Sequence, residues 1–356
     1  MKGLRAGVSI REHGGGDRCR GARPGRKEAK MRRRKFLQLL AGAMMTPGAV
    51  VAQPAAKTHR VGTLTVGPPI PPNAGTGKML LDGLAQRGFK LGQNLAYEAR
   101  GAAGKVGQTA NLMQELKAAN VDVVVTVGYP SAAAAKASGV ATVIASGSGD
   151  PVQTGLVASL AHPGGSVTGI SDDAAALSTK RLGLLKAVAP QLKRVAMLWN
   201  KDDRGMTQRY DASASAAQEL GVTVQALGVR EPDDFNEAFA AMDRQPPDAI
   251  LMVTDSLTLL NRKRVFDYAL AHKLPAIYEQ DFMARDGGLM SYGADAKESF
   301  DRAAALVARI LQGAKPGDLP FEIPTKYDFV INMKTAKAIG LDVPPTVLAL
   351  ADEVIE

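Results

Sequence analysis

The residues of this chain that could carry out catalysis do not occur in the patterns that catalysis requires. The chain has four histidines, and no two of them lie at the spacing of a zinc-ligand pair. No G-x-S-x-G motif is present to expose a serine nucleophile. The aspartate pairs at 172–173, 202–203 and 233–234 fall in predicted loops or at helix starts, where capping explains them. We therefore predict that the protein is not an enzyme and that it has neither a metal nor a cofactor.

Polar residues that follow the predicted strands are instead placed to bind a small charged molecule. Hydroxyl groups and the N–H groups of helix N-termini bind a carboxylate, and an acidic side chain binds an ammonium group. The candidates for such contacts are Thr65, Gly67, Gly128, Tyr129, Ser131, Ser146, Asp150, Asn200, Asp255, Ser256, Tyr278 and Tyr292.

Several of these candidates also have a purely structural interpretation. Asp255 is the best candidate for an ammonium partner, but it could instead cap a helix, and the same choice holds for Ser131. Asp150 could pair with an ammonium group or cap the turn that follows it. Tyr129 either stacks on a ligand or covers the surface. Tyr292 is either a wall of a binding cleft or a spacer at a hinge.

A repeated alternation of strands and helices positions these candidates. In the first half, residues 59–66, 94–100, 121–127 and 141–145 are predicted strands with helices between them. The segment 121–127 is a continuous apolar run, which is typical of a strand buried on both faces of a parallel sheet. The alternation restarts at Thr179, so we predict two similar α/β halves. Ligands of such sheets bind beyond the carboxyl ends of the strands.

Composition and charge indicate a globular protein with a basic N-terminal segment. Of the 356 residues, 46% are hydrophobic and 22% are charged, the usual balance for a globular chain. The formal net charge of +9 is concentrated in residues 1–35, so the high pI does not indicate nucleic-acid binding. Cys19 is the single cysteine, which excludes a disulfide within the chain.

The first fifty residues indicate export. A basic run at 32–35 precedes an apolar stretch at 36–51, and small residues lead up to Ala52. This is the pattern of a signal peptide at 31–52 that is cleaved near Ala52, and it fits the general secretory and the twin-arginine routes alike. Residues 1–30 are predicted to be either an extension from an upstream start or a disordered basic tail.

Segments along most of the chain resemble a known family. They include VDVVVTVGYPSAAAA, GDPVQTGLVASLAHPGGSVTGIS, PDAILMVTD and YDFVINMKTAKAIGLDVPPTVLALADEVI. These segments are similar to the substrate-binding proteins of ABC transporters, and more narrowly to type I periplasmic binding proteins of the tryptophan/tyrosine type. The resemblance implies two similar doubly wound parallel-sheet α/β lobes joined by a three-stranded hinge. The lobes would comprise residues 57–170 with 290–318, and 171–289 with 319–356.

The resemblance also implies a function. It indicates a periplasmic, monomeric receptor that closes on an amino acid or a related aromatic or carboxylate solute and delivers it to an ABC permease and its ATPase. Nucleic acid is not an expected partner. Four prolines between residues 68 and 72 replace a loop that often carries Ser or Thr, so the ligand stays open. The alternatives are a ligand-sensing module for a signalling partner and, third, an exported hydrolase.

Overall fold

The computed structural model describes residues 57–171 and 173–356. The predicted N-terminal extension and signal peptide, with Cys19, lie outside these residues. Within the described part of the chain, no helix combines the length and the apolar character needed to cross a membrane.

Strands and helices alternate in the first half of the described chain. The elements are β1 (His59–Thr65), α1 (Gly75–Gln86), β2 (Leu95–Gly101), α2 (Thr109–Ala118), β3 (Val123–Val127), α3 (Tyr129–Ser138), β4 (Thr142–Ser146) and β5 (Val167–Gly169). All five strands are parallel, in the order β2-β1-β3-β4-β5. The side chains of β3 are buried almost throughout, as its mainly apolar sequence predicts.

The alternation continues in the second half. The elements are α4 (Ala174–Val188), β6 (Arg194–Asn200), α5 (Arg204–Glu219), β7 (Thr223–Val229), α6 (Asp234–Arg244), β8 (Ala249–Met252), α7 (Ser256–Leu260), α8 (Arg262–Ala271), β9 (Ala276–Tyr278), α9 (Asp281–Arg285), β10 (Met290–Ala294), α10 (Ala296–Leu311), β11 (Tyr327–Asn332), α11 (Met333–Ile339), α12 (Pro345–Leu348) and β12 (Glu353–Ile355). The second sheet has the order β12-β11-β10-β9-β8-β6-β7, and only the β10–β11 pair is antiparallel.

The two sheets form two lobes, which confirms the predicted α/β fold class. One detail differs from the predicted division, which placed residues 290–318 in the first lobe. Strand β10 pairs with β9 and β11 and so belongs to the second sheet. Helix α10 crosses back, because its apolar face, including Phe300 and Val307, packs on α1 in the first lobe, and the turn after it follows. The bidentate pair between Arg87 and Asp301 reinforces this contact.

In the described part of the chain, three segments connect the lobes: one includes residues 170–171, and the others are near 294–296 and 319–326. They bond to one another: the Ser171 N–H donates to the Glu322 carbonyl at 2.8 Å, and the Asp295 N–H donates to the Lys326 carbonyl at 3.0 Å. Neighbouring chain segments held together in this way can bend as one unit, as a hinge does.

Several helices begin directly after strands, at caps formed by Asp or Asn. Asp203 caps α5, Asp255 caps α7 and Asp295 caps α10, each by accepting backbone N–H groups of the first turn. In the second lobe, Asp203 and Asp255 follow the carboxyl ends of β6 and β8. Sequence and topology thus gather acidic side chains at one edge of this sheet.

Candidate functional site

A cavity of about 300 Å³ lies between the lobes. The carboxyl ends of β1, β3 and β4 border it on one side, and segments after β8 and β9, with α4, α5 and α7, border it on the other. Its volume is at the lower end of the range for small-molecule sites. Half of the residues predicted from sequence line it: Thr65, Gly67, Gly128, Ser146, Asp255 and Ser256.

The three predicted tyrosines lie away from the lining of this cavity. Tyr278 is fully buried in the core of the second lobe, where its ring packs edge-on against Phe266. The Tyr129 side chain is half-buried against a small apolar cluster of the first lobe. The Tyr292 ring stacks beside Tyr327, outside the cavity. Complete burial of an apolar ring is favourable, which accounts for the position of Tyr278, and strand position alone did not predict where the other two rings lie.

The three remaining predicted residues also do not line the cavity. Ser131 is fully buried, and its Oγ has no hydrogen-bond partner among the described residues, so it does not cap α3 either. Asp150 caps its turn by accepting the N–H groups of Val152 and Gln153, which agrees with its structural interpretation. Asn200 lies behind the cavity wall and donates to Asp255.

Sequence reasoning missed a buried ion cluster that reaches the second-lobe side of the cavity. Glu279 accepts from Arg181 Nη1 at 2.8 Å and from Arg209 Nη1 through its other oxygen. The Thr254 N–H donates to the same carboxylate at 3.0 Å. Arg181 also donates from Nε to the Tyr292 carbonyl at 2.7 Å. Glu279 thus connects α4, α5 and the segment after β8, and Arg181 extends the cluster to β10.

Two further carboxylates line the same wall and differ in how they are bonded. Asp255 uses both oxygens: Oδ1 accepts the Thr258 N–H at 2.9 Å, and Oδ2 accepts from Asn200 Nδ2 at 2.6 Å. Asp203 caps α5 with Oδ1 alone, while its Oδ2 accepts no hydrogen bond from the described residues. Asp203 is therefore the better placed of the two to take a new donor.

Burial controls the ionisation of this carboxylate pair. Desolvation, and secondly the charge of Asp255, raise the pKa of Asp203 from 3.8 to about 7. Desolvation also raises the pKa of Asp255, against the hydrogen bonds that it accepts. Near neutral pH, the protonated and the ionised form of Asp203 are therefore both populated. A cation that binds next to this carboxylate would favour the ionised form.

We expect the contribution of Asp203 to the stability of the ligand-free protein to decrease as the pH rises from about 4 to about 7. The folded state keeps the Asp203 proton up to about pH 7, whereas the unfolded chain releases it near 3.8. The free energy of unfolding should fall by up to about 1.4 kcal/mol per pH unit from this group. Urea unfolding of the wild type and of Asp203→Asn at pH 5, 6, 7 and 8 would measure it. Parallel curves for the two proteins would contradict the assignment.

Charge is distributed unequally between the two sides of the cavity. Among the described lining residues, every charged side chain belongs to the second lobe. The first-lobe wall consists of backbone, hydroxyl groups and apolar side chains such as Val66, Pro68 and Ile70. Leu259 and Phe282 extend the apolar surface on the opposite side. Such a cavity is suited to a ligand with a charged head and an apolar body.

Comparison with known proteins identifies the family. A model of the ABC transporter substrate binding protein family matches residues 74–355. The tyrosine-binding protein of Clostridioides difficile (strain R20291) is 26% identical over 265 residues, which cover 74% of this chain and 76% of that protein.

Two solved structures have a similar fold, each with a TM-score of 0.77, 26% identity and coverage of 84% of this chain and 100% of the other. One is an ABC domain from Streptococcus pneumoniae in complex with L-Trp, and the other is a conserved domain protein from Vibrio cholerae. The family and the fold predicted from sequence are confirmed. The chain belongs to the family of ABC transporter substrate binding proteins.

Proposed function

We propose that this protein is the extracytoplasmic receptor of an ABC importer and binds an aromatic amino acid between its lobes. The observation that carries the proposal is the cavity itself, which combines a buried ionic wall with an apolar remainder. A tyrosine-binding relative and a similar structure that contains L-Trp support the choice of ligand class. With no catalytic constellation in the sequence, the proposed role is capture and release without chemistry.

The ligand's ammonium and carboxylate groups, which are both bonded to its Cα atom, would point towards opposite lobes. Its ammonium group would donate to Asp203 Oδ2, which accepts no hydrogen bond from the described residues. Its carboxylate would face the first lobe near Gly128 and Ser146, where α3 begins and no charged side chain competes. The aromatic ring would rest on Pro68, Ile70 and neighbouring apolar groups.

The proposed location, oligomeric state and membrane partner rest on the family and on the predicted signal peptide. The protein would be exported by the signal at 31–52, act in the periplasm as a monomer, and present its closed form to a membrane permease with an ATPase. The first lobe would comprise residues 57–170 and α10 with the turn after it, and the second lobe the rest of the mature chain. Closure of both lobes would remove water from the ligand's polar contacts.

A thermal-shift panel tests the ligand class. We expect L-tyrosine or L-tryptophan at a hundred times its dissociation constant to add about 2.7 kcal/mol of stability, which raises the melting temperature by several degrees. N-acetyl-L-tyrosine, which lacks the ammonium group, and tryptamine, which lacks the carboxylate, are matched controls and should give little or no shift. The protein is first unfolded, dialysed and refolded to remove any copurified ligand. No shift with any amino acid would overturn the proposal.

A further inference from the structure

The lobes also touch outside the cavity, along a contact that we call the seam: residues 148–153 of the first lobe against residues 204–208 of α5. The Asp150 N–H donates to Gln208 Oε1 at 3.0 Å, and Arg204 Nη2 donates to the Gln153 carbonyl at 3.0 Å. Between these bonds the two backbones approach closely. A Cβ placed on Gly205 would lie 2.8 Å from the Ser148 carbonyl oxygen.

The first two turns of α5 face the cavity and the seam at the same time. Asp203, Met206 and Arg209, at a spacing of three residues, line the cavity. Gly205 and Gln208, on the neighbouring face of the helix, meet the first lobe. The Gly205 N–H also donates to Asp203 Oδ1 at 2.8 Å. The carboxylate that we propose as the ligand's ammonium partner is thus bonded directly to a residue of the seam.

We infer that Gly205 and Gln208 are positioning residues that set ligand affinity by permitting and holding lobe closure, without touching the ligand. The inference rests on the proposed function, since it concerns the closed, ligand-retaining state. Gly205 lies in α5 and has no positive φ, so its backbone conformation within the second lobe is compatible with alanine. The three atoms nearest to the added methyl group all belong to the backbone of Ser148 and Gly149 in the opposite lobe, and backbone atoms cannot move aside as a flexible side chain can. Closure is therefore what the methyl group obstructs.

Gly205→Ala, compared with Gly183→Ala, tests this inference. Gly183 also lies in a helix, and a Cβ there meets nothing within 4 Å. Without ligand, both variants should melt at the wild-type temperature or about 1–3 °C above it, because alanine favours a helix. Calorimetry with L-tryptophan and L-tyrosine should give a dissociation constant raised at least about tenfold for Gly205→Ala and unchanged for Gly183→Ala. Gln208→Ala should weaken binding in the same direction, mainly through faster dissociation. Equal affinity of wild type and Gly205→Ala would overturn the inference.

A ligand-free measurement separates this inference from the proposed function. Val106 and Leu260 line the mouth of the cavity from opposite lobes and are 37% and 54% exposed. In the full chain with Cys19→Ser, the substitutions Val106→Cys and Leu260→Cys report closure through the rate at which a short bifunctional thiol reagent joins the two thiols. Gly205→Ala should slow this reaction several-fold, and Gly183→Ala should not. An unchanged rate would overturn the inference, whereas a wild type that binds no amino acid but closes normally would overturn only the proposed function.

Discussion

Asp203→Asn should raise the dissociation constant for L-tyrosine or L-tryptophan by about a hundredfold or more. The substitution keeps the shape of the side chain and removes the charge that would pair with the ligand's ammonium group in a buried site. Breaking a desolvated ion pair of this kind costs about 2–5 kcal/mol. The asparagine can still accept the Gly205 and Met206 N–H groups through its remaining oxygen, so α5 stays capped. Isothermal titration calorimetry at pH 8 measures the loss.

The pH dependence of binding provides a second signature of the same residue. Because the pKa of Asp203 is raised to about 7, binding of an ammonium group at pH 6 must first displace a proton. Wild-type affinity should therefore fall about tenfold from pH 8 to pH 6, and the affinity of Asp203→Asn should stay nearly constant.

The neighbouring aspartate is the matched control. Asp202 is exposed and pairs with Arg230 at the surface at 3.0 Å. Asp202→Asn should bind with wild-type affinity and retain the wild-type pH profile. If Asp203→Asn binds as tightly as Asp202→Asn, the ammonium site lies elsewhere, and Asp255 becomes the next residue to test.

Much of the fold was predictable because it depends on local patterns. The run at 121–127 is short and rich in valine, which favoured a strand covered on both faces, and glycine and proline marked many element ends. The sequence did not show to which sheet residues 290–294 belong, because sheet membership depends on contacts with other strands. Strand β10 is short and its sequence is compatible with either sheet. Its backbone pairs with β9 and β11, so it belongs to the second sheet.

The sequence predicted which backbone segments border the cavity. It did not predict in which direction the side chains of these and other segments point. Thr65, Gly128 and Asp255, which were selected because they follow strands, line the cavity, and their contact with a ligand stays a prediction. Asp203 was assigned to capping alone, because a sequence does not show that one carboxylate oxygen caps a helix while the other stays open. Arg209 lies inside helix α5. The periodicity of a helical sequence does not show which neighbouring element each face of the helix contacts. The buried partner Glu279 could be recognised from the sequence only as a polar residue that follows a predicted strand, and nothing in the sequence indicated its pairing with Arg209.

Glu279→Gln should cause the largest loss of stability, about 3–5 kcal/mol in the free energy of unfolding. The three charged side chains of the cluster are almost completely buried, and Glu279 is the carboxylate that Arg181 and Arg209 share. Glutamine keeps the size of the side chain but removes the negative charge between two buried guanidinium groups, and breaking a buried ion pair in this way costs several kcal/mol. Urea unfolding at constant pH measures the change.

Glu353→Gln is the matched control, because Glu353 forms an Arg–Glu pair with Arg285 in which both side chains are more than 40% exposed. Such a pair contributes at most about 1 kcal/mol. Equal losses in Glu353→Gln and Glu279→Gln would show that the buried cluster adds no more than a surface pair does. A much larger loss in Glu279→Gln would show that the second lobe depends on the cluster for its stability. Since Arg181 also binds the Tyr292 carbonyl next to the hinge, the same cluster would then hold the cavity wall in the geometry that Asp203 needs to meet the ligand.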